Sequence, residues 1–178
     1  MSVAGLVLAA GAGTRYGQPK APVVVDGERL VDRAVRNLRE GGCDPVVVVL
    51  GAWVGEVSGA DILVNDAWPE GMGSSLRTGL QSLTQSSDAE AVVVTLVDLP
   101  GLTPEAVRRV VACPADLAVA TYDGERGHPV RIARALWPRA IEVARGDEGA
   151  RRLMQELGVE RVEVGDVADG YDVDVPVE

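Results

Sequence analysis

Three short runs of the 178-residue chain are apolar on both faces: VAGLVLAA (3–10), PVVVVLGA (45–52) and AVVVTLVD (91–98). A strand with one wet face alternates apolar and polar residues. These runs do not alternate, so they predict strands covered on both sides, as in a parallel sheet between two layers of helices. Helical patterns lie between and after them. GERLVDRAVRNLREGG (27–42) places Leu30, Val31, Ala34, Val35 and Leu38 on one stripe and ends in a glycine pair. SSLRTGLQSL (74–83) opens with serines suited to an N-cap, and LTPEAVRRVVA (102–112) has Thr103 as cap with Pro104 at the first helical position. ADLAVATYDGERGHPVRIAR (115–134) predicts two strands about a turn at Asp123-Gly124, GDEGARRLMQEL (146–157) a capped helix, and VERVEVGD (159–166) a late strand. Alternating strands and helices imply one α/β domain over residues 1–178, three-layered and with a mostly parallel sheet.

A net charge of −10 opposes binding to a nucleic-acid backbone, though it permits one small anion held by local backbone amides. Cys43 and Cys113 stand 70 residues apart without a CxxC motif, which suits structural thiols in a reducing compartment. No apolar stretch approaches the roughly 20 residues of a membrane span. No basic segment precedes the first apolar run, so no secretory signal is expected and a cytoplasmic protein is.

In open α/β sheets, ligands bind beyond the carboxyl ends of the strands. The loop after the first run, GAGTRYGQPK (11–20), is therefore the first candidate site. Gly11, Gly13 and Gly17 give the spacing GxGxxxG, one residue too long for a dinucleotide fingerprint, and the second run ends without an acidic residue for a ribose. Lys20 follows proline and precedes alanine, so it is not a P-loop lysine. A third possibility is a long loop wrapping a triphosphate. Gly11 and Gly13 would admit backbone amides close to phosphate, and Arg15 would offer a fork. Lys20 is the chain's one lysine among sixteen arginines. An ammonium on a flexible stem can follow a moving phosphoryl group where a guanidinium needs fixed geometry.

LAAGAGTRYGQPK resembles the signature of the glycosyltransferase-A-like nucleotidyltransferases with a Rossmann-like fold. Within that group the chain resembles the MobA-like NTP transferase family, specifically its molybdenum cofactor cytidylyltransferase branch. The segments NDAWPEGMGSSLRTGL (65–80), LVDLP (96–100), RGHPVRI (126–132), GDEGAR (146–151) and DVDVP (172–176) agree in the family's order. The resemblance implies that Ala9, Ala10, Gly11 and Gly13 hold the nucleotide with Ser74, and that Arg15 and Lys20 contact its triphosphate. It implies Mg²⁺ on Asp98, with Asp174 at the metal or the acceptor, and an acceptor site at Gly73, Ser75, His128 and Asp174. Leu99, Arg131 and Val175 depart from the family's usual residues, and all three bear on the acceptor side.

The implied reaction joins an acceptor phosphate to the α-phosphorus of a nucleoside triphosphate. It needs charge stabilisation more than a strong base, so Arg15, Lys20 and Asp98 would suffice as catalytic groups. Other roles stay open at this level. Asp98 could cap the Asp-Leu-Pro-Gly turn. Asp172 and Asp174 share one face of an extended strand and could both be solvated. His128 could be structural, and Trp68 could pack or cover a flat ligand. Cytidine is expected because guanylyl-transferring relatives typically carry A-G-G where this chain has Ala9-Ala10-Gly11. The acceptor would be a pterin phosphate, and a molybdoenzyme would receive the product. Transfer to a sugar or polyol phosphate, or a non-catalytic role in molybdoenzyme maturation, are the alternatives.

Overall fold

The computed structural model describes residues 1–176. The three apolar runs form strands β1 (Val3–Ala9), β4 (Val46–Leu50) and β6 (Ala91–Leu96). A small ribbon, β2 (Val24–Val25) with β3 (Glu28–Arg29), leads into helix α1 (Leu30–Glu40). An edge strand β5 (Asp61–Val64) precedes helix α2 (Met72–Ser86). After β6 come α3 (Pro104–Ala112), the hairpin β7 (Leu117–Tyr122) and β8 (Glu125–Ala133), α4 (Trp137–Val143), α5 (Arg151–Leu157) and β9 (Glu160–Glu163).

Seven strands make one sheet in the order β5-β4-β1-β6-β8-β7-β9. Only β8 opposes the others, so the sheet is mostly parallel as the apolar runs implied. Side chains alternate across it. In β1, Val3, Val7 and Ala9 enter one core with α1 and α3, while Ala4, Leu6 and Leu8 enter a second core with α2 and α4. Burial on both faces is why these strands lack polar alternation. The chain leaves β1 for α1 on one face and re-enters the sheet beside β1 after α2 on the other. The carboxyl end of β1 is therefore the switch point where such sheets open a crevice. Gly79 lets α2 lie close over β1: a Cβ there would come within 2.5 Å of Leu6.

The sequence-predicted elements hold with three corrections. Helix α2 starts at Met72 behind Gly71, whose φ of 110° ends the preceding turn, so Ser74 lies inside the helix instead of capping it. Helix α5 starts at Arg151 and has no side-chain cap. Gly146 and Gly149 both adopt φ of 52°, a left-handed conformation that a helix cannot continue through, so 146–150 is a loop. Strand β5, the β2–β3 ribbon and α4 were not legible. β5 is an exposed edge strand without the doubly buried pattern. Thr103 does cap α3, accepting from the Ala106 amide, and the Asp123-Gly124 turn has both φ angles positive, as a two-residue hairpin favours.

Candidate active site

The crevice at the end of β1 holds a cavity of about 440 Å³. Its floor is Leu8–Ala10 and its lip is the loop through Thr14; Trp68, Pro69, Gly71 and Met72 stand on one side, and Leu96, Val97 and Asp98 on the other. The loop's course depends on Gly13. Its φ is 64°, and a Cβ there would lie 1.9 Å from the Gln18 carbonyl, so only glycine fits. The Gly13 carbonyl accepts from the Gly17 amide at 2.8 Å, folding the loop back so that Lys20 points at the end of β6.

There the Lys20 ammonium donates to Asp98 Oδ2 at 3.0 Å and to Asp174 Oδ1 at 3.2 Å. Burial alone would lower its pKa, but the bonds and charges of Asp98 and Asp174 outweigh that and the net shift is upward. The Lys20 hydrogen bond in turn holds the Asp174 carboxyl below its ordinary range. A compact ammonium can sit between two carboxylates from different segments, a geometry that a flat guanidinium fork would not enter in the same way. Arg15 lies outside this cluster: its side chain is 83% exposed and only reaches within 4.0 Å of Asp174.

Asp98 comes from the end of β6, and its backbone carbonyl accepts from the Val173 amide at 3.0 Å. That bond brings the segment 169–176 back against the β6 loop, with further support from the Asp169 amide on the Gly101 carbonyl. As a result Asp98, Asp172 and Asp174 each offer a carboxylate oxygen within 4.8 Å of one another. Asp98 Oδ1 is buried without a hydrogen-bond partner, a costly state for a carboxylate oxygen unless a cation completes it. Three hard oxygen donors at the mouth of an anion-sized loop suit Mg²⁺ or a similar divalent ion, which favours one or two carboxylates plus substrate phosphates. The donor set fits such an ion.

The expected acceptor and base residues divide. Ser75 lines the cavity. Ser74 does not: its hydroxyl accepts from Asn65 at 2.9 Å and faces the carbonyls of Ala67 and Gly71, so it ties the turn to the helix and is not free for a nucleotide. Gly73 is not on the wall either. Its amide donates to the Gly146 carbonyl at 2.7 Å, which uses a donor that an exposed helix start would have left for an anion. His128 lies in β8, two residues toward the carboxyl edge from the Val94–Val130 pair, and stands one strand beyond the cavity. Burial pushes its pKa down to about 4, so the imidazole is neutral near pH 7. Arg131 is buried at the opposite end of the sheet, donating to Ala115, and does not reach the site.

Gly71 and Met72 line the cavity as the resemblance implied, whereas Asp147 and Pro69 were not expected there and Asp172 carried less weight than Asp174. Asp147 sits in the loop expected to be helical, so its approach to the cavity depended on a tertiary strap with no local signal. For Asp172, the period of two in DVDVP was the available clue.

A glycine loop at the switch point, facing a lysine and a carboxylate cluster, places the protein among α/β nucleotidyltransferases. The chain belongs to the MobA-like NTP transferase domain family, whose model matches residues 5–162. It is 35% identical to the "Nicotine blue oxidoreductase" of Paenarthrobacter nicotinovorans over 97% of this chain and 92% of that protein. It is also 35% identical to a "Probable molybdenum cofactor guanylyltransferase" of Opitutus terrae, over 57% of this chain and 50% of that one. The crystal structure of a homologue of Mycobacterium tuberculosis rv0371c, from Mycobacterium sp. strain JC1, superposes with a TM-score of 0.80 at 35% identity, covering 97% of this chain and 90% of that chain.

Proposed function

We propose that the protein transfers a nucleoside monophosphate, from CTP by preference, to the phosphate of a molybdopterin-type acceptor and releases pyrophosphate. The observation that carries this reading is Lys20 between Asp98 and Asp174 at the mouth of the Gly11–Gly13 loop. In the reaction an acceptor phosphate oxygen attacks the α-phosphorus. The bond from that phosphorus to the bridging oxygen breaks, and its electron pair leaves on pyrophosphate.

Backbone amides from Ala9 to Gly13 hold the nucleotide, and Lys20 turns from its carboxylates toward the negative charge that develops on the leaving group. Arg15, exposed at the rim, closes on the outer phosphates. Asp98 and Asp174, with Asp172 beside them, would hold a divalent ion such as Mg²⁺, which would supply charge to lower the repulsion between the two anions. Ser75 and neutral His128 are suited to orient an acceptor, because neither adds charge to the site. The family membership and the resemblance to a molybdenum cofactor guanylyltransferase support a pterin acceptor. Such a product would pass to a molybdoenzyme.

The test is pyrophosphate release by the purified protein with Mg²⁺, each of the four nucleoside triphosphates, and molybdopterin or a panel of sugar and polyol phosphates. Release that needs CTP and molybdopterin together is expected. Release only with a sugar phosphate would move the acceptor, and release only with GTP would move the base.

A second reading, oxidoreduction, is favoured by the similarity to the nicotine blue oxidoreductase. The glycine spacing and the absence of an acidic residue at the end of β4 weigh against a nicotinamide cofactor. Consumption of NADH or NADPH with nicotine blue, without pyrophosphate release in the first assay, would install that reading instead.

A further inference from the structure

The cavity has two chemically different ends. Lys20 and Asp98 stand at the β6 end. Trp68 stands at the β4 end, where a Cβ on Gly51 would lie 2.7 Å from its side chain. Gly71, at the close of the turn that carries Trp68, touches Asp147: a Cβ there would meet Asp147 Oδ1 at 2.6 Å and the Gly146 carbonyl at 2.5 Å. Asp147 thus lines the cavity beside Gly71, at the close of the turn that carries Trp68.

The loop that carries Asp147 is fixed there. The Gly146 carbonyl accepts from Gly73, Arg77 donates to the Ala144 carbonyl, and Gly149 passes beside Met72, where a Cβ would lie 3.0 Å from the sulfur. Among the described residues, no hydrogen bond or ion pair engages the Asp147 carboxylate. An ionised carboxylate can only accept hydrogen bonds. It repels phosphate, so it does not serve the triphosphate, and in a cavity that Trp68 also lines it suits the edge of a flat heterocycle that carries N–H donors.

We propose that Asp147 is a specificity residue that accepts from the amino edge of the nucleobase while Trp68 covers the ring; this inference rests on the nucleotide reading above. A carboxylate here favours cytosine, whose amino group donates, over uracil, whose oxygen at the same place accepts. A site that hydrogen-bonds a donor discriminates against the analogue that lacks it, because a bound base would cover the exposed Asp147 carboxylate and leave it unpaired.

The experiment is calorimetric titration of the full chain, with Mg²⁺, against two pairs that differ at an amino group: CTP with UTP, and GTP with ITP. Wild type and Asp147→Asn are compared, with thermal unfolding to confirm that the exposed substitution leaves the fold intact. Wild type is expected to prefer the amino-bearing member of at least one pair. Asp147→Asn, whose amide can donate as well as accept, is expected to narrow that preference about tenfold, through weaker binding of the amino base and equal or tighter binding of its partner. A preference that survives Asp147→Asn unchanged, or a wild type that binds nucleotides without an amino preference, overturns the inference and leaves the nucleotide reading standing. A wild type that binds no nucleoside triphosphate overturns both.

Discussion

Lys20 is held by two carboxylates that a divalent ion would also seek, so cation and lysine compete for the same oxygens. Replacing it with methionine is expected to tighten Mn²⁺ binding in the absence of nucleotide, because Asp98 and Asp174 lose their internal counter-ion. The same substitution should lower turnover by about 10²–10³, the usual cost of removing one donor to developing charge. Titration of Mn²⁺ and steady-state pyrophosphate release check the two halves separately. His128 sets a pH dependence at the same scale. Its folded pKa of about 4 lies below the ordinary value of 6.5, so the unfolded chain binds the proton first. Stability is then fully present above pH 6.5 and is lost as pH falls toward 4, by up to about 2 kcal/mol at pH 5. Thermal midpoints across that window should fall less for His128→Gln than for wild type. A wild-type midpoint that tracks the variant at every pH would show that the imidazole is not held neutral.

At the scale of elements, stability and site shape depend on glycines at close approaches. Gly79→Ala drives a Cβ into Leu6 where α2 crosses β1, and overpacking of this kind costs about 1–3 kcal/mol. In a chain of this length that is a drop of roughly 2–12 °C in the melting midpoint, with KM for the nucleotide unchanged. Gly71→Ala should do both: at a φ of 110° alanine is strained, and its Cβ meets the strap that carries Asp147, so the midpoint falls and nucleotide affinity falls with it. These elements also show what was legible in the sequence. The three doubly buried strands were, because valine and leucine without polar alternation have few other uses. The cap at Thr103 and the turn at Asp123-Gly124 were, because local chemistry alone fixes them. The start of α2 was not: Ser74 and Ser75 look like capping residues until Asn65 reaches them from nine or ten residues upstream. The loop 146–150 was not, because its backbone is set by the bond between Gly146 and Gly73 across the cavity wall.

At the scale of the whole molecule, the fold works by bringing three distant segments to one edge of the sheet. Residues 11–20 leave β1, Asp98 ends β6, and the segment from Asp169 to Asp174 returns from beyond β9 to lie on the β6 loop. The first two were legible because loops at strand ends are where such sheets place ligands. The third was legible only as an acidic stretch, since nothing local says that Val173 will bond to Asp98. The return segment adds little to either apolar core. A chain ending at Gly170 is therefore expected to unfold cooperatively, at a somewhat lower midpoint, while losing Asp172 and Asp174 and with them most divalent-ion binding. Circular dichroism melts and Mn²⁺ titration separate the two effects. Equal Mn²⁺ affinity in the shortened chain would place the ion elsewhere.

The central claim is that Asp98 and Lys20 build one site for a nucleoside triphosphate with its divalent ion. Its most direct test is calorimetric titration of CTP into wild type and Asp98→Asn, with and without Mg²⁺. The expected result is binding to wild type that tightens at least tenfold with Mg²⁺, and binding to Asp98→Asn that Mg²⁺ no longer improves. Equal CTP affinity in all four titrations would contradict the account.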